Sequence, residues 1–198
     1  ICLAHGYGVD KQERCKNTLA SVQALLGGQS IELYVEIPLD GIGALNDLLG
    51  GVTVTLLDDF TASDPTMTAG KTLTLTGQQA EILVRSRMSM AVGTNEARMS
   101  RQRIFMDAAI PMIRERISEN SGFASEMLDS LSPYLTTNMV RGRMINELNK
   151  AYHYDVQPVE YLTGEHTIGD DGFVEFHAAS QSAVDFVLSA FYTKRDAQ

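Results

Sequence analysis

The sequence alternates between segments with helical periodicity and short segments with strand periodicity, and glycine or proline separates many of them. Within residues 11–26, apolar residues recur at the spacing of one helix face, and the glycines at 27 and 28 end the pattern. Residues 31–37 alternate between apolar and polar side chains, as in a half-buried strand, and Pro38 ends it. This alternation continues along the chain and predicts an α/β fold, in which helices cover a central mixed sheet in a layered α-β-α domain.

The same patterns predict the remaining elements. Further helices are predicted at 40–49, 77–87, 95–117, 123–131, 137–152 and 180–192. Asp40 is the predicted cap of the first of these, a capping box of Thr76 and Gln79 opens the second, and Thr137-Asn138 caps the helix that ends at 152. Further strands are predicted at 52–57, 71–75, 156–162 and 173–176, and loops at 58–70, 88–94 and 164–172. Pro111 predicts a kink or a junction in the long helix.

Composition excludes several classes of protein. A chain of 198 residues suits one domain, and it contains no apolar run long enough to span a membrane. The net charge of -9 argues against general binding of nucleic acid or of anionic membranes. Two cysteines, Cys2 and Cys15, are too few for a zinc site, and either a single disulfide or two small apolar side chains explains them.

One segment runs against the acidic charge of the chain. Between Arg85 and Arg103 the sequence holds five arginines and a single acid, Glu96. Arg98 and Gln102 are four residues apart on the predicted helix, and Arg101 lies on the same face. Guanidinium groups beside a helix N-terminus suit a phosphate-bearing ligand, and each charge-assisted hydrogen bond contributes about 1.5–3 kcal/mol. The alternative is a solvated basic face whose arginines pair with acids elsewhere.

Other candidate sites are weaker. The four histidines lack the spacing of metal ligands, and Asp58-Asp59 is more typical of a turn than of a cation site. Methionines on the long helix (Met99, Met106 and Met112) fit a core, or alternatively a groove for a lipid chain.

The order of the motifs is similar to that of the LytR-CpsA-Psr family. The block from Asp40 to Val54 with its Gly-Gly-Val, the Leu-Thr-Gly-Gln-Gln-Ala at 75–80, the Arg-Ser-Arg at 85–87 and the Arg-Met-Ser-Arg-Gln at 98–102 resemble the family signature. The resemblance covers nearly the whole chain. It implies a single domain over residues 1–198 that lacks the strands at the N-terminus of the family domain, so the chain resembles the later two-thirds of that domain.

The resemblance also implies a function. Family members transfer a glycopolymer from a polyprenyl-pyrophosphate carrier to peptidoglycan as a phosphodiester, outside the cytoplasm, from a membrane anchor expected upstream of this chain. By resemblance, Arg85 and Arg87 are catalytic, and they bind the pyrophosphate together with Arg98, Arg101 and Gln102. Mg²⁺ is the expected cofactor, with its ligands upstream of residue 1. The expected partners include no nucleic acid.

Two departures from the family pattern leave an alternative open. Asn95 and Glu96 occupy the place where many members have an acid before Arg98, and the metal-binding strands are not in this chain. A non-catalytic module that binds polyprenyl phosphate or a cell-wall polymer would use the same arginines without metal. A transcriptional regulator fits poorly, because the chain is acidic and has no DNA-reading motif.

Overall fold

The computed structural model describes residues 4–86, 95–151, 153–154, 162–170, 172 and 174–192. These residues fall into two compact units, which are described separately: one combines 1–34 with 155–198, and the other is 35–154. Helices and strands are interspersed in both, which confirms the predicted α/β class. The interpretation of 1–198 as a single domain stays a prediction.

The elements are numbered in chain order. The helices are α1 (Lys11–Leu25), α2 (Asp40–Leu48), α3 (Gly77–Arg85), α4 (Asn95–Glu119), α5 (Phe123–Leu131), α6 (Arg141–Ala151) and α7 (Ser180–Val187). The strands are β1 (Val35–Glu36), β2 (Thr53–Thr55), β3 (Thr72–Thr74), β4 (Thr136–Thr137), β5 (Gly164–Ile168) and β6 (Val174–Ala178). A 3₁₀ turn at Ala4–Tyr7 precedes α1, and a π-helical turn at Leu188–Tyr192 continues α7.

The strands form three separate two-stranded antiparallel sheets, which pair β1 with β4, β2 with β3, and β5 with β6. The predicted central mixed sheet is therefore wrong for the part of the chain that the structure describes. Parallel pairing needs a long crossover, whereas the loop between β2 and β3 folds back on itself through a hydrogen bond from the Phe60 amide to the Met67 carbonyl at 2.9 Å.

The β2–β3 hairpin has one face toward the protein interior and one face exposed to solvent. Val54 is buried opposite Leu73, whereas the threonines on the other face are exposed. Those threonines bond across the strands, with Oγ1–Oγ1 distances of 2.8 Å for both Thr53–Thr74 and Thr55–Thr72. This alternation turns the hairpin toward the core of unit 35–154.

The core of unit 35–154 lies between this hairpin and helices α2 to α5. Its buried members are Leu45, Leu49, Val52, Val54, Leu56, Phe60, Met67, Leu75, Ala80, Leu83, Val84, Phe105, Ala109, Phe123, Met127 and Leu131. The side chain of Asn46, also buried, donates to the Leu75 carbonyl at 2.8 Å and accepts from the Val52 amide at 2.9 Å. This amide side chain satisfies backbone groups next to both strands.

Helices α2 and α3 approach each other closely at two glycines. A Cβ on Gly43 would lie 3.1 Å from the Gly77 carbonyl oxygen, and a Cβ on Gly77 would lie 2.9 Å from that of Gly43. Contact at backbone distance holds these two helices together. The end of α3 also meets α2, through the ion pair of Arg85 with Asp40 at the start of α2, and the candidate site begins there.

The other unit holds α1, α7 and the β5–β6 hairpin. The Asp10 carboxylate caps α1 by accepting from the Glu13 amide at 2.8 Å. After α1, Gly27 and Gly28 adopt positive φ angles of 68° and 84°, which glycine adopts without strain. Cys15 is buried on α1. Cys2 lies outside the described residues, and a disulfide between them stays a prediction.

Several local predictions are confirmed. The capping box of Thr76 and Gln79 opens α3, α5 spans 123–131 as predicted, and Gly50 and Gly51 end α2 with positive φ. Pro111 lies inside a continuous α4, so it marks no junction.

Other local predictions are wrong. The strand predicted at 31–37 is reduced to β1, because within the described part of the chain only Val35 and Glu36 have a partner strand. Asp40 is the first residue of α2 and not its cap, a place that Leu39 takes without a side-chain bond. Thr137 belongs to β4 and does not cap α6, and the loop predicted at 164–172 contains β5. The loop predicted at 88–94 and all but Leu162 of the strand predicted at 156–162 lie outside the described residues; Leu162 itself is in no strand.

Candidate functional site

The end of α3 presents the first predicted arginine. Ser86 leaves the helix with φ −57° and ψ 131°, so Arg85 is the last helical residue. The guanidinium of Arg85 forms an ion pair with Asp40 at the start of α2. The side chain is 54% exposed, so the guanidinium remains accessible to a solute. Arg87, the second predicted catalytic residue, lies outside the described residues.

The first turns of α4 present the next arginine. Arg98 is half-buried, and its Nε is fully buried with no hydrogen-bond partner among the described residues. An unpaired buried donor is unusual, because a missing hydrogen bond costs free energy. Gln102, one turn further along the same face, donates from Nε2 to the Val84 carbonyl of α3 at 3.3 Å. The face of α4 that carries Arg98 is thereby directed toward the last turn of α3.

Arg101 is more deeply buried than Arg85 and Arg98, and its Nε, like that of Arg98, has no hydrogen-bond partner among the described residues. Its residue exposure is 1%, its Nη1 lies 2.9 Å from Oδ2 of Asp58, and its Nη2 donates to the Ser86 carbonyl at 2.8 Å. These contacts occupy both terminal nitrogens with protein groups. The binding of pyrophosphate by Arg101 stays a prediction.

Sequence reasoning missed the acids that pair with these arginines. The sequence predicts Asp40 as a helix cap, whereas in the structure its carboxylate contacts Arg85. The sequence predicts Asp58 as part of a turn, whereas in the structure it is the partner of Arg101. The signal available for Asp58 is its place three residues after the end of β2, a strand that contacts α4.

The loop after β2 carries carboxylates that serve the loop itself. Asp59 accepts from both the hydroxyl and the amide of Thr61, and these bonds lower the pKa of its carboxyl group. Asp64 accepts in the same way from Thr66 and also from Gln79, and its pKa is lowered by these bonds. The turn interpretation of Asp58-Asp59 therefore holds for Asp59.

The described residues do not form a metal site. No group of three or more His, Cys, Asp or Glu side chains converges in the part of the chain that the structure describes. Mg²⁺ prefers several oxygen ligands in octahedral geometry. The prediction that Mg²⁺ binds to residues upstream of residue 1 is untested.

The fold and the site together define a class of protein. In an α/β unit, hydrogen bonds from Arg101 and Gln102 join the start of α4, which carries Arg98, to the end of α3, which carries Arg85. Arginines on adjoining elements suit a ligand that carries phosphate. Comparison with known sequences gives the family: the chain belongs to the LytR_cpsA_psr family, whose profile matches residues 12–186. The resemblance seen in the motifs is confirmed. At family level, membership supports transfer of cell-wall glycopolymers in the cell envelope.

Solved structures show the same fold. Protein gbs0355 from Streptococcus agalactiae aligns with a TM-score of 0.72 and 19% identity over 94% of this chain and 64% of that chain. TagU from B. subtilis aligns with a TM-score of 0.62 and 20% identity, over 95% and 73%. A structure described as TagT bound to LI-WTA aligns with a TM-score of 0.68 and 20% identity, over 94% and 68%. At these identities the likeness shows the fold alone.

Two further findings complete the comparison. No curated protein matches the chain significantly. Among the described residues, no helix combines the length and the apolar character needed to cross a membrane.

Proposed function

We propose that this protein is a cell-envelope phosphotransferase. It takes a glycopolymer from a polyprenyl-pyrophosphate carrier and attaches it to peptidoglycan as a phosphodiester, on the outer side of the membrane to which the full-length protein is anchored. The family match over residues 12–186 supports the class of reaction. The specific donor and acceptor are part of the proposal.

One structural observation carries the assignment of the site. The hydrogen bonds from Arg101 to the Ser86 carbonyl and from Gln102 to the Val84 carbonyl join the end of α3 to the first turns of α4. They bring the segment that ends in Arg85 beside the turn that carries Arg98. We assign Arg85, Arg87, Arg98 and Gln102 to the pyrophosphate on this basis, with the N-terminal amides of α4 as further donors.

The reaction requires charge stabilisation more than covalent chemistry from the protein. A peptidoglycan hydroxyl oxygen forms a bond to the phosphorus next to the sugar, and the bond from that phosphorus to the bridging oxygen breaks. Polyprenyl phosphate leaves with the electron pair, and the hydroxyl proton passes to solvent. Arg85 and Arg98 offset the negative charge that develops on the leaving phosphate.

Exposed methionines on α4 support a place for the lipid chain. Met99 and Met106 are 44% and 37% exposed and lie two turns apart on α4, and Met99 directly follows Arg98 in the sequence. Methionine adapts to irregular apolar chains. We expect Met99→Ser to weaken binding of farnesyl pyrophosphate several-fold and to leave binding of inorganic pyrophosphate unchanged. Equal loss with both probes would contradict this placement.

The decisive test is the replacement of Arg85. Arg85→Ala should lower the rate of glycopolymer transfer about 100-fold, the usual effect of removing one group that stabilises developing charge. Arg143→Ala is the matched control, because Arg143 is an exposed arginine on α6, outside this site. Unchanged transfer by the Arg85→Ala protein would overturn the assignment.

The same arginines also suit a second candidate function, a binding module without catalysis, because Arg85 is exposed and the Nε of Arg98 has no hydrogen-bond partner among the described residues. Such a module would bind farnesyl pyrophosphate equally well with and without Mg²⁺, and would transfer nothing. A Mg²⁺ titration of both binding and transfer separates the two functions. Transfer that rises with Mg²⁺ eliminates the module.

A further inference from the structure

An ion pair between the buried Arg101 and the partly exposed Asp58 adjoins the end of α3. The guanidinium of Arg101 bonds to Asp58 Oδ2 at 2.9 Å and to the Ser86 carbonyl at 2.8 Å, and the side chain of Arg101 is 2% exposed. Asp58 follows β2, Ser86 follows α3, and Arg101 belongs to α4. A single side chain therefore links three elements of unit 35–154.

The chemistry of this link commits Arg101 to the protein. Burial of an arginine requires a compensating charge, and Asp58 supplies it. A phosphate that approached the terminal nitrogens of Arg101 would have to displace Asp58 and enter the core. The planar fork of the guanidinium also fixes the directions of both hydrogen bonds together, which a lysine ammonium does not do.

The second bond acts on the backbone beside Arg85. Ser86 directly follows Arg85, and its carbonyl lies beyond the last helical residue of α3, where carbonyls lack partners within the helix. With this carbonyl held by Arg101, the last turn of α3 keeps its position relative to α4. The neighbouring bond from Gln102 to the Val84 carbonyl acts on the same turn.

We propose that Asp58 and Arg101 form a positioning pair, which holds the end of α3 so that Arg85 faces the same ligand as Arg98. Neither residue of the pair touches the ligand. This inference rests on the proposed function for the identity of the ligand. The fixed position of the last turn of α3 is a property of the protein without ligand, so it can be measured without knowing what the ligand is.

The first experiment measures that hold. Arg101→Lys keeps the positive charge near Asp58 and loses the paired geometry, so amide hydrogen exchange at Val84, Arg85 and Ser86 should become about tenfold faster, the effect of one lost charge-assisted bond. Arg103→Lys is the matched control, because Arg103 pairs with Asp107 on the exposed side of the same helix. Unchanged exchange in a folded Arg101→Lys protein would overturn the inference, whatever the ligand is.

The second experiment tests whether Arg101 acts through Arg85. Arg101→Lys should weaken binding of inorganic pyrophosphate about tenfold in the wild-type background. In an Arg85→Ala background the same change should weaken it less than about twofold, because the residue that it positions is gone. An equal loss in both backgrounds would mean that Arg101 contacts the ligand directly, and would overturn the positioning role.

A second variant covers the case in which Arg101→Lys does not fold. Asp58→Asn leaves the bond from Arg101 to the Ser86 carbonyl in place and removes the negative charge that compensates Arg101. The side chain of Asp58 is 28% accessible, so this position tolerates substitution better than the buried Arg101. Asp58→Asn should accelerate amide exchange at the end of α3 and weaken pyrophosphate binding, each by a smaller factor than Arg101→Lys does. A folded Asp58→Asn protein with wild-type exchange and affinity overturns the proposal. Absence of pyrophosphate binding in the wild-type protein would instead refute the proposed function.

Discussion

The two units of the chain differ in what holds them together. All sixteen members of the buried cluster belong to unit 35–154. In the other unit, apolar side chains of the β5–β6 hairpin remain exposed, with 77% for Ile168, 69% for Val174 and 47% for Phe176. The first unit is stabilised by burial of apolar surface. The described part of the second depends more on helix caps and strand pairing.

This difference matters because the candidate site lies in the well-packed unit. Leu83 and Val84, which directly precede Arg85, are 1% and 2% exposed, and Phe105, one turn after Arg101, is fully buried. Side chains that are anchored by neighbours of this kind keep their geometry. A site that must align several cations on one phosphate therefore gains from its place beside the core.

The largest expected difference between the units is in the cost of truncating a phenylalanine side chain. Phe105→Ala should lower the free energy of unfolding by about 3–5 kcal/mol, because it leaves a cavity in a closed core. Phe176→Ala should cost less than about 1 kcal/mol, because its side chain is already half exposed. Urea denaturation of both variants measures this contrast. Equal losses would abolish the distinction between the units.

A second contrast separates the buried ion pair from an exposed pair. Arg101→Ala should destabilise unit 35–154 by about 3 kcal/mol, since it leaves Asp58 without its charge partner. Arg103→Ala removes an exposed pair within α4 and should cost about 0.5 kcal/mol. Thermal and urea unfolding of the two variants give the values. A cost for Arg103→Ala as large as that for Arg101→Ala would show that burial is not the cause.

Helix caps provide a smaller comparison between the units. Thr76→Ala removes the capping box of α3 and should cost about 1 kcal/mol. Asp10→Ala removes the cap of α1 and should cost a similar amount. Hydrogen exchange will distinguish the two variants. Loss of the α3 cap should reduce the protection of amides in the packed core, whereas loss of the α1 cap should reduce protection only within α1. Core-wide exchange after Asp10→Ala would contradict this pattern.

The smallest effect concerns pH. The pKa of Asp64 is lowered from 3.8, chiefly by the bonds from Thr66, so the ionised form is favoured in the folded state. Its contribution to stability is therefore present above pH 3.8 and is lost as the pH falls through the lower pKa of the folded state. Thr66→Val should raise the pKa of Asp64 toward 3.8 in an NMR titration, and an unchanged pKa would show that Thr66 is not the cause.

Local chemistry in the sequence determined much of the secondary structure. The Thr76–Gln79 capping box, the glycines after α1 and α2, and the bounds of α5 depend on residues within one or two turns of each other, so a sequence pattern is sufficient to predict them. Family membership was also predictable, because the order of short motifs survives in the sequence and needs no coordinates.

Only the tertiary structure decided what each arginine does. Helical spacing placed Arg98, Arg101 and Gln102 on one face, but it did not indicate which side chain lies beneath a neighbouring element. Asp58 and Asp40 are separated from their arginine partners by 43 and 45 residues, and no local pattern connects them. Packing of β2 and α3 against α4 buries Arg101 and leaves Arg85 accessible. Ion pairs between residues so far apart in sequence form only when the fold brings the residues together, so a short-range sequence pattern does not predict them.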